Sequence, residues 1–503
     1  MMLLLSFSLI ASCSETLSWL ESWKPIDPVV DTQDKKSAAA LGKIKHIVVL
    51  MLENRSFDNL LGQLYPKSDQ FNGLSGEESN LFTSAGMVRE IKVWNEADVN
   101  IAKTIPSPDP GESFSDMNEQ LFDMSVAPAG GAATMSGFAQ NYFQYSSPAS
   151  PDAIMHYYLP EQVPVLSQLA KNYAVCDAWF ASAPCQTWPN RFFLHTGTAG
   201  GYENNSPYHF PYEMPTIFTR FNQLNRDNGW KIYYHDFPQA LALSDLWFHL
   251  DQMRHYSQFK EDAANGSLPS YSFIEPQYYA EIDFPSDQHP PHDIRFGEEL
   301  IADVYNTLQA SPAWTNTLLI ITYDEHGGCY DHVPPPQAIP PEAPRADQLF
   351  HFDRYGVRVP AVVISPYIPA GTVFRAPVNS QPFDHTSVIS TVRRCFDLGE
   401  PLTDRDRNAP DLSSILTLAD DQLNLGAPLV VPAVDRSPEL LEKIKADVIT
   451  DLQKGMREIA AHLPDPRSDD ELQPVPESDS QDEAISYIKD KLNAVLPQTI
   501  PKN

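Results

Sequence analysis

Two pairs of oxygen-bearing side chains occupy matching places in this chain of 503 residues. Glu53-Asn54 and Asp324-Glu325 each follow directly on an apolar run rich in β-branched residues, His46–Leu52 and Thr317–Tyr323. Runs of that kind read as strands buried on both faces. If the two strands are neighbours, four side chains converge, and clustered carboxylates are costly unless a cation or a set of hydrogen bonds compensates them. The donors suit one hard or borderline divalent cation, and calcium, magnesium, manganese and zinc all accept such oxygens. Taken singly, each pair is more often an ordinary turn or loop-capping element than a metal ligand; the metal reading rests on there being two.

A third group lies in Ala183–Arg191, APCQTWPNR. The hydroxyl of Thr187 is a weak nucleophile at its free pKa and becomes a useful one only when a metal lowers that value. The same threonine also suits the N-cap of a helix with Pro189 in its first turn. The two roles are compatible, because free backbone donors at a helix N-terminus favour a phosphoryl group. Histidines gather near the second acidic pair: His289, His292, His326 and His332, with His235 and His385 further away in sequence. Paired prolines stiffen the backbone beside two of them in Asp287–His292, DQHPPH, and again after His332 in DHVPPP.

Strands must deliver these groups. A further apolar run spans Val359–Ser365, and an amphipathic helix is expected over Ile294–Leu308, capped by Asp293. Buried strands alternating with helices predict an α/β sheet covered on both faces, whose sites lie beyond the carboxyl ends of the strands. Leu81–Tyr158, poor in periodicity and rich in Pro, Ser, Gly and Met, reads as long loops over that face. Three regions follow: 1–42, 43–430 and 431–503. The last contains an amphipathic stretch over Pro438–His462, an acidic stretch over Pro464–Asp482 and a helix over Glu483–Val495. It is expected to be a packed or solvated helical appendage without a catalytic part.

Composition narrows the function. With 35 Lys+Arg against 66 Asp+Glu, the formal net charge is −31. Such a chain does not neutralise nucleic-acid phosphates, nor does it dock on anionic membranes by charge alone. The 45 prolines, against 22 glycines, suggest stiff connections and not low-complexity disorder. Five scattered cysteines (Cys13, Cys176, Cys185, Cys329, Cys395) make neither a disulfide scaffold nor a zinc motif. The apolar start MMLLLSFSLIASC resembles a secretory segment ending in a lipobox with Cys13 as the lipidated residue, yet no basic residue precedes Lys24. Export with lipid anchoring and a cytoplasmic location both remain open, as does oligomeric state.

Five motifs in order, ENRSFD (53–58), TWPNR (187–191), HPPHD (289–293), YDEHGGCYDHVPPP (323–336) and GVRVP (356–360), resemble the bacterial phospholipase C and acid phosphatase family, which includes plant non-specific phospholipases C. The resemblance covers roughly Lys43 to Val392. It implies a three-layer α/β/α sandwich with a central, mostly parallel sheet, of the alkaline-phosphatase-like kind. It also implies that Glu53, Asn54, Asp324 and Glu325 hold one divalent metal and that Thr187 is both nucleophile and metal-facing oxygen. His289 matches a phosphate-contacting proton donor, His235 a second phosphate contact, and His332 a residue lining the site. Glu112, in DPGES (109–113), departs from the family pattern, where many relatives carry His, and an ionised carboxylate cannot donate to phosphate. The implied reaction is hydrolysis of a phosphoric ester through a phosphothreonine intermediate. The substrate is either a phospholipid, cleaved to diacylglycerol and a phosphoalcohol during brief membrane contact, or a range of phosphomonoesters. A secreted binding protein that has lost the chemistry is the alternative of another class. Trp188, Tyr142, Phe143 and Tyr145 are candidates for a lipid-facing mouth or for core.

Overall fold

The computed structural model describes residues 32–128, 131–146, 150–224, 228–281, 283–343, 350–445, 449–463, 475 and 480–496. At its centre is an eight-stranded sheet. Its strands are β1 (His46–Leu52), β2 (Ala174–Cys176), β3 (Trp230–Tyr234), β4 (Met253–His255), β5 (Tyr271–Ile274), β6 (Thr317–Tyr323), β7 (Ala361–Ile364) and β8 (Thr372–Phe374). They lie in the order β8-β2-β7-β6-β1-β5-β3-β4. Strand β7 runs antiparallel to both β6 and β2, and every other pairing in the sheet is parallel. The expected mostly parallel sheet is present, with one reversed strand.

Strands β1 and β6 are central neighbours, with Leu52 opposite Tyr323. Their parallel register delivers Glu53 and Asp324 side by side. Apart from His46, every residue of the two strands is buried. Because successive side chains point to opposite faces, that burial requires cover on both sides of the sheet, which explains why both sequences are continuously apolar. Cover includes α1 (Pro164–Asn172), α2 (Thr187–Thr196), α3 (Ile294–Gln309) and α4 (Thr386–Phe396), with α3 packed on α1 and α4 on α2. Helix α3 begins where expected. The Asp293 side chain accepts from Arg295 N, and Ile294, Leu300, Ile301, Val304 and Leu308 form its buried stripe. Truncating Ile301 to Ala would leave a cavity costing about 2–5 kcal/mol.

The loops expected over Leu81–Tyr158 are more ordered than the sequence suggested. They hold a hairpin (Ser79–Ser84 with Met87–Lys92) and helices over Phe114–Phe122 and Phe138–Tyr145. Phe82, Ile91, Leu121, Phe138, Tyr142 and Met155 form a separate small core there. These helices have nine and eight residues, too few for a helical period to show against Ser, Pro and Gly neighbours. In the C-terminal region the amphipathic stretch divides into a helix over Pro438–Lys445 and α5 (Asp451–His462), and α6 (Gln481–Val495) packs on α5. Leu452, Met456, Ile459, Ile485, Ile488 and Leu492 join the main core, so this region is packed. The lipobox-like segment and Cys13 lie outside the described residues, as does most of Pro464–Asp482. Among the described residues no helix is long and apolar enough to cross a membrane.

Candidate active site

The ends of β1 and β6 lock each other. Asn54 adopts a left-handed backbone (φ 58°), and its N–H donates to Asp324 Oδ1 at 2.9 Å. Gly327 faces this turn so closely that a Cβ there would lie 2.3 Å from the Asn54 carbonyl oxygen, which leaves no room for a side chain. Glu53, Asn54, Asp324 and Glu325 are all fully buried. The strand register and the Asn54–Asp324 bond thus bring the two pairs side by side.

Thr187 opens α2, and Gln186, not Thr187, occupies the cap position. The threonine hydroxyl is thus free of capping duty and donates to Glu53 Oε2 at 3.4 Å. One helical turn later, Arg191 falls on the same face. Its Nη2 donates to Glu53 Oε1 at 2.6 Å and its Nη1 to Glu275 Oε2 at 3.2 Å. Gln239 Nε2 also donates to Glu53 Oε1, at 2.8 Å. One oxygen of Glu53 is therefore anchored twice, and the other is turned toward Thr187.

Three buried oxygens beside these groups have no hydrogen-bond partner: Asn54 Oδ1, Asp324 Oδ2 and Glu325 Oε1. Leaving a buried acceptor unsatisfied costs about 1–3 kcal/mol, and more when it is charged. Burial pushes the Glu53 carboxyl well above its ordinary value against the opposing pull of Arg191, and burial followed by Asp324 does the same to Glu325. Unpaired acidic oxygens beside a hydroxyl are the donor set of a divalent cation, whose charge would offset the cluster. By donor type these residues fit the divalent metal that the sequence implies, while the ligand atoms that lie closest together among the described residues are those of Asp109, Glu112 and His289 beside them and of Asp58, Asp331 and His332.

His289 joins this group. The Asn54 side-chain amide donates to Glu112 Oε1 at 2.5 Å and lies 3.0 Å from His289 Nε2. His289 Nδ1 is 2.6 Å from the Pro290 carbonyl, which only a protonated Nδ1 can satisfy; in the neutral ring Nε2 is then the acceptor. Burial, then Asp109, Glu325 and Asp324, push the Glu112 carboxyl well up, while the Asn54 bond opposes. This residue faces the site as the resemblance suggested, and its contact is with a metal-ligand candidate.

Two histidines are placed elsewhere. His332 bonds through Nδ1 to Asp58 Oδ2 at 2.6 Å and through Nε2 to Asn72 Oδ1 at 3.1 Å, in a cluster built around Arg358, Asp58 and Asp331. None of its hydrogen bonds reaches Glu53, Asp324 or Thr187. The chain leaves the site through Gly327 and Gly328, both with positive φ, so nearness in sequence to Glu325 does not become nearness of function. His235 follows β3, donates from Nδ1 to the Glu275 carbonyl at 2.8 Å and stacks on Tyr256 at 4.2 Å. Burial lowers its pKa to about 4. Its link to Thr187 is indirect, through Glu275 and Arg191.

Sequence reasoning assigned no role to Arg191, Gln239, Glu275 or His385. His385 Nε2 donates to the Asp324 backbone carbonyl at 2.6 Å. The spacing of Arg191 from Thr187 was a usable signal; the other three come from distant segments and carry none. Of the four aromatics, Trp188 and Tyr142 are core, Phe143 is half-buried and Tyr145 is exposed.

A buried nucleophile candidate at a helix N-terminus, facing an unpaired acidic oxygen set at the carboxyl ends of parallel strands, defines a hydrolase-type centre. The Phosphoesterase family profile matches residues 44–399, and the chain belongs to that family. Non-specific phospholipase C1 of Arabidopsis thaliana is 40% identical, over 73% of this chain and 69% of the relative. Phospholipase C A of Mycobacterium tuberculosis (strain ATCC 25618 / H37Rv) is 27% identical, over 85% of this chain and 87% of the relative. A solved structure from Vibrio parahaemolyticus, described as a protein in the alkaline phosphatase superfamily, aligns with 76% of this chain and 79% of its own at 10% identity and a TM-score of 0.34.

Proposed function

We propose that this phospholipase C-type phosphoesterase cleaves phospholipids on the glycerol side of phosphorus, with Thr187 as nucleophile. The observation that carries the reading is the Thr187 hydroxyl, aimed at Glu53 Oε2 and flanked by the three unpaired oxygens of Asn54, Asp324 and Glu325. A divalent cation held by Glu53, Asn54, Asp324 and Glu325 supplies, when bound, a lowered hydroxyl pKa and positive charge opposite the phosphoryl oxygens. Thr187 Oγ1 gives up its proton along its bond toward Glu53 Oε2 and attacks phosphorus. The Oγ1–P bond forms as the bond from phosphorus to the glycerol oxygen breaks. His289, protonated at Nε2, gives its proton to the departing diacylglycerol oxygen. Neutral His289 then accepts a proton from water, whose oxygen bonds to phosphorus as the Oγ1–P bond breaks; Thr187 Oγ1 takes back the proton held at Glu53 Oε2, and the phosphoalcohol is released. Two inversions at phosphorus give net retention. Arg191 and Gln239 keep Glu53 from rotating, so the positioning on which phosphoryl transfer depends precedes the reaction.

The test is release of phosphocholine from phosphatidylcholine by purified wild type and Thr187→Ala, alongside hydrolysis of a small aryl phosphate. Full turnover by a folded Thr187→Ala protein would remove the nucleophile assignment. Turnover of the aryl phosphate alone would make the protein a phosphomonoesterase.

A further inference from the structure

Helix α5 lies outside the stretch matched by the family profile, yet it reaches the site from two directions. Gln453, in its first turn, donates from Nε2 to the Tyr278 carbonyl at 2.6 Å, and the Tyr279 hydroxyl donates to the Gln453 carbonyl at 2.6 Å. Tyr278 in turn donates its hydroxyl to Glu275 Oε2 at 2.5 Å, the oxygen that also receives Arg191. Gly455 meets Trp188, the residue after Thr187. A Cβ on Gly455 would come within 2.9 Å of the indole. That indole is fully buried and cannot easily yield, because its N–H is bonded to Gln239 Oε1 at 3.1 Å while Gln239 Nε2 holds Glu53.

We infer that Gln453 and Gly455 are positioning residues: α5 forms a wall of the active site and holds Glu53 and Thr187 through Tyr278–Glu275–Arg191 on one side and Trp188–Gln239 on the other. The inference rests on the proposed roles of Glu53 and Thr187. It assigns to the C-terminal region a part in the chemistry that its composition concealed. Residues one step removed from a metal ligand typically change affinity or activity by about 10- to 100-fold when replaced.

Two substitutions separate positioning from simple support of the helix. Gln453 Oε1 accepts from Thr450 N in a capping box, and Gln453→Glu keeps that acceptor while removing the donor to Tyr278. Gly455→Leu drives a branched side chain into Trp188, and Gly455→Ala is the milder control. The measurements are titration of the chelator-treated full-length protein with Mn²⁺ and steady-state turnover of phosphatidylcholine in mixed micelles. Gln453→Glu and Gly455→Leu are expected to weaken Mn²⁺ binding about 10-fold and to lower kcat about 10- to 100-fold with KM within about twofold; Gly455→Ala, which brings only a Cβ against the indole, is expected to lower both in the same direction but by less than Gly455→Leu. Wild-type Mn²⁺ affinity and kcat in Gln453→Glu overturn the inference even if Gly455→Leu does not fold. So does a fall in kcat that merely follows a lowered thermal midpoint of the cation-free protein. Failure of the underlying reading looks different: it appears as full activity in Thr187→Ala, whatever the α5 variants do.

Discussion

Two acidic clusters flank the end of β1, and they are built on opposite terms. In the first, Asp58 and Asp331 are buried around Arg358, and every carboxylate oxygen has a partner: Arg358 Nη2, His332 N and His332 Nδ1 on Asp58, and Arg358 Nε, Val333 N and Asp58 N on Asp331. In the second, Glu53 alone has a guanidinium, and Asn54, Asp324 and Glu325 each keep an unpaired buried oxygen. The first cluster is complete within the protein. The second leaves acidic oxygens that an added positive charge would satisfy, and it is the one that faces the Thr187 hydroxyl. The mere presence of several side chains able to ligate a cation does not separate them, since Asp58, Asp331 and His332 offer three and Glu53, Asn54, Asp324 and Glu325 offer four; counting satisfied oxygens does.

The sharpest break of this contrast is chemical. Thr187→Ala should lower kcat by at least about 10³-fold with an unchanged circular dichroism spectrum, whereas His332→Gln should leave kcat within about twofold. Next comes stability. Asp331→Asn should destabilise the protein by about 3 kcal/mol, because Arg358 loses a buried partner. Glu325→Gln should instead stabilise the cation-free protein by about 1 kcal/mol, since the cost of keeping a buried carboxyl protonated disappears, while abolishing stabilisation by added Mn²⁺. Urea unfolding with and without chelator measures both, and equal losses in the two variants would erase the distinction. A smaller effect concerns pH. Glu53 and Glu325 have raised pKa values in the folded cation-free protein, so the folded state holds protons that the unfolded chain releases. Their contribution to stability is complete below the ordinary glutamate value of 4.5 and is lost as the pH rises through their folded values. Chelated protein should therefore lose thermal stability from pH 5 to 8 more steeply than cation-loaded protein, in which the carboxylates are held ionised. The smallest effect is the stability cost of His332→Gln, about 1 kcal/mol in the same unfolding assay.

What was legible in the sequence follows from what leaves a local pattern. The runs before Glu53 and Asp324 announced buried strands, and although one acidic residue after such a run is ordinarily a turn or cap, the recurrence of the design at a second strand end singled out both pairs without coordinates. The direction of β7 was not legible, because a strand buried on both faces reads the same either way. His332 was drawn toward the site by its motif, but motifs record sequence order while the glycine turn at 327–328 sends the chain elsewhere. Gln239, Glu275 and His385 act through contacts between distant segments, which no spacing encodes. The C-terminal region looked like an appendage because its composition is acidic and Pro-rich, and composition does not reveal that Gly455 is pressed against Trp188.

The register that sets Leu52 opposite Tyr323 also has a consequence during synthesis. Asn54 and Asp324, from the two acidic pairs, are separated by 270 residues of chain, and the contact of α5 with Trp188 spans a similar stretch that ends still later in the sequence. A growing chain that has exposed only β1 carries Glu53 and Asn54 with nothing to close against, and β6 must emerge and pair before the oxygens meet. A cation held there would not nucleate this fold but would enter a sheet already assembled, so chelation should slow refolding little while leaving the finished protein easier to open.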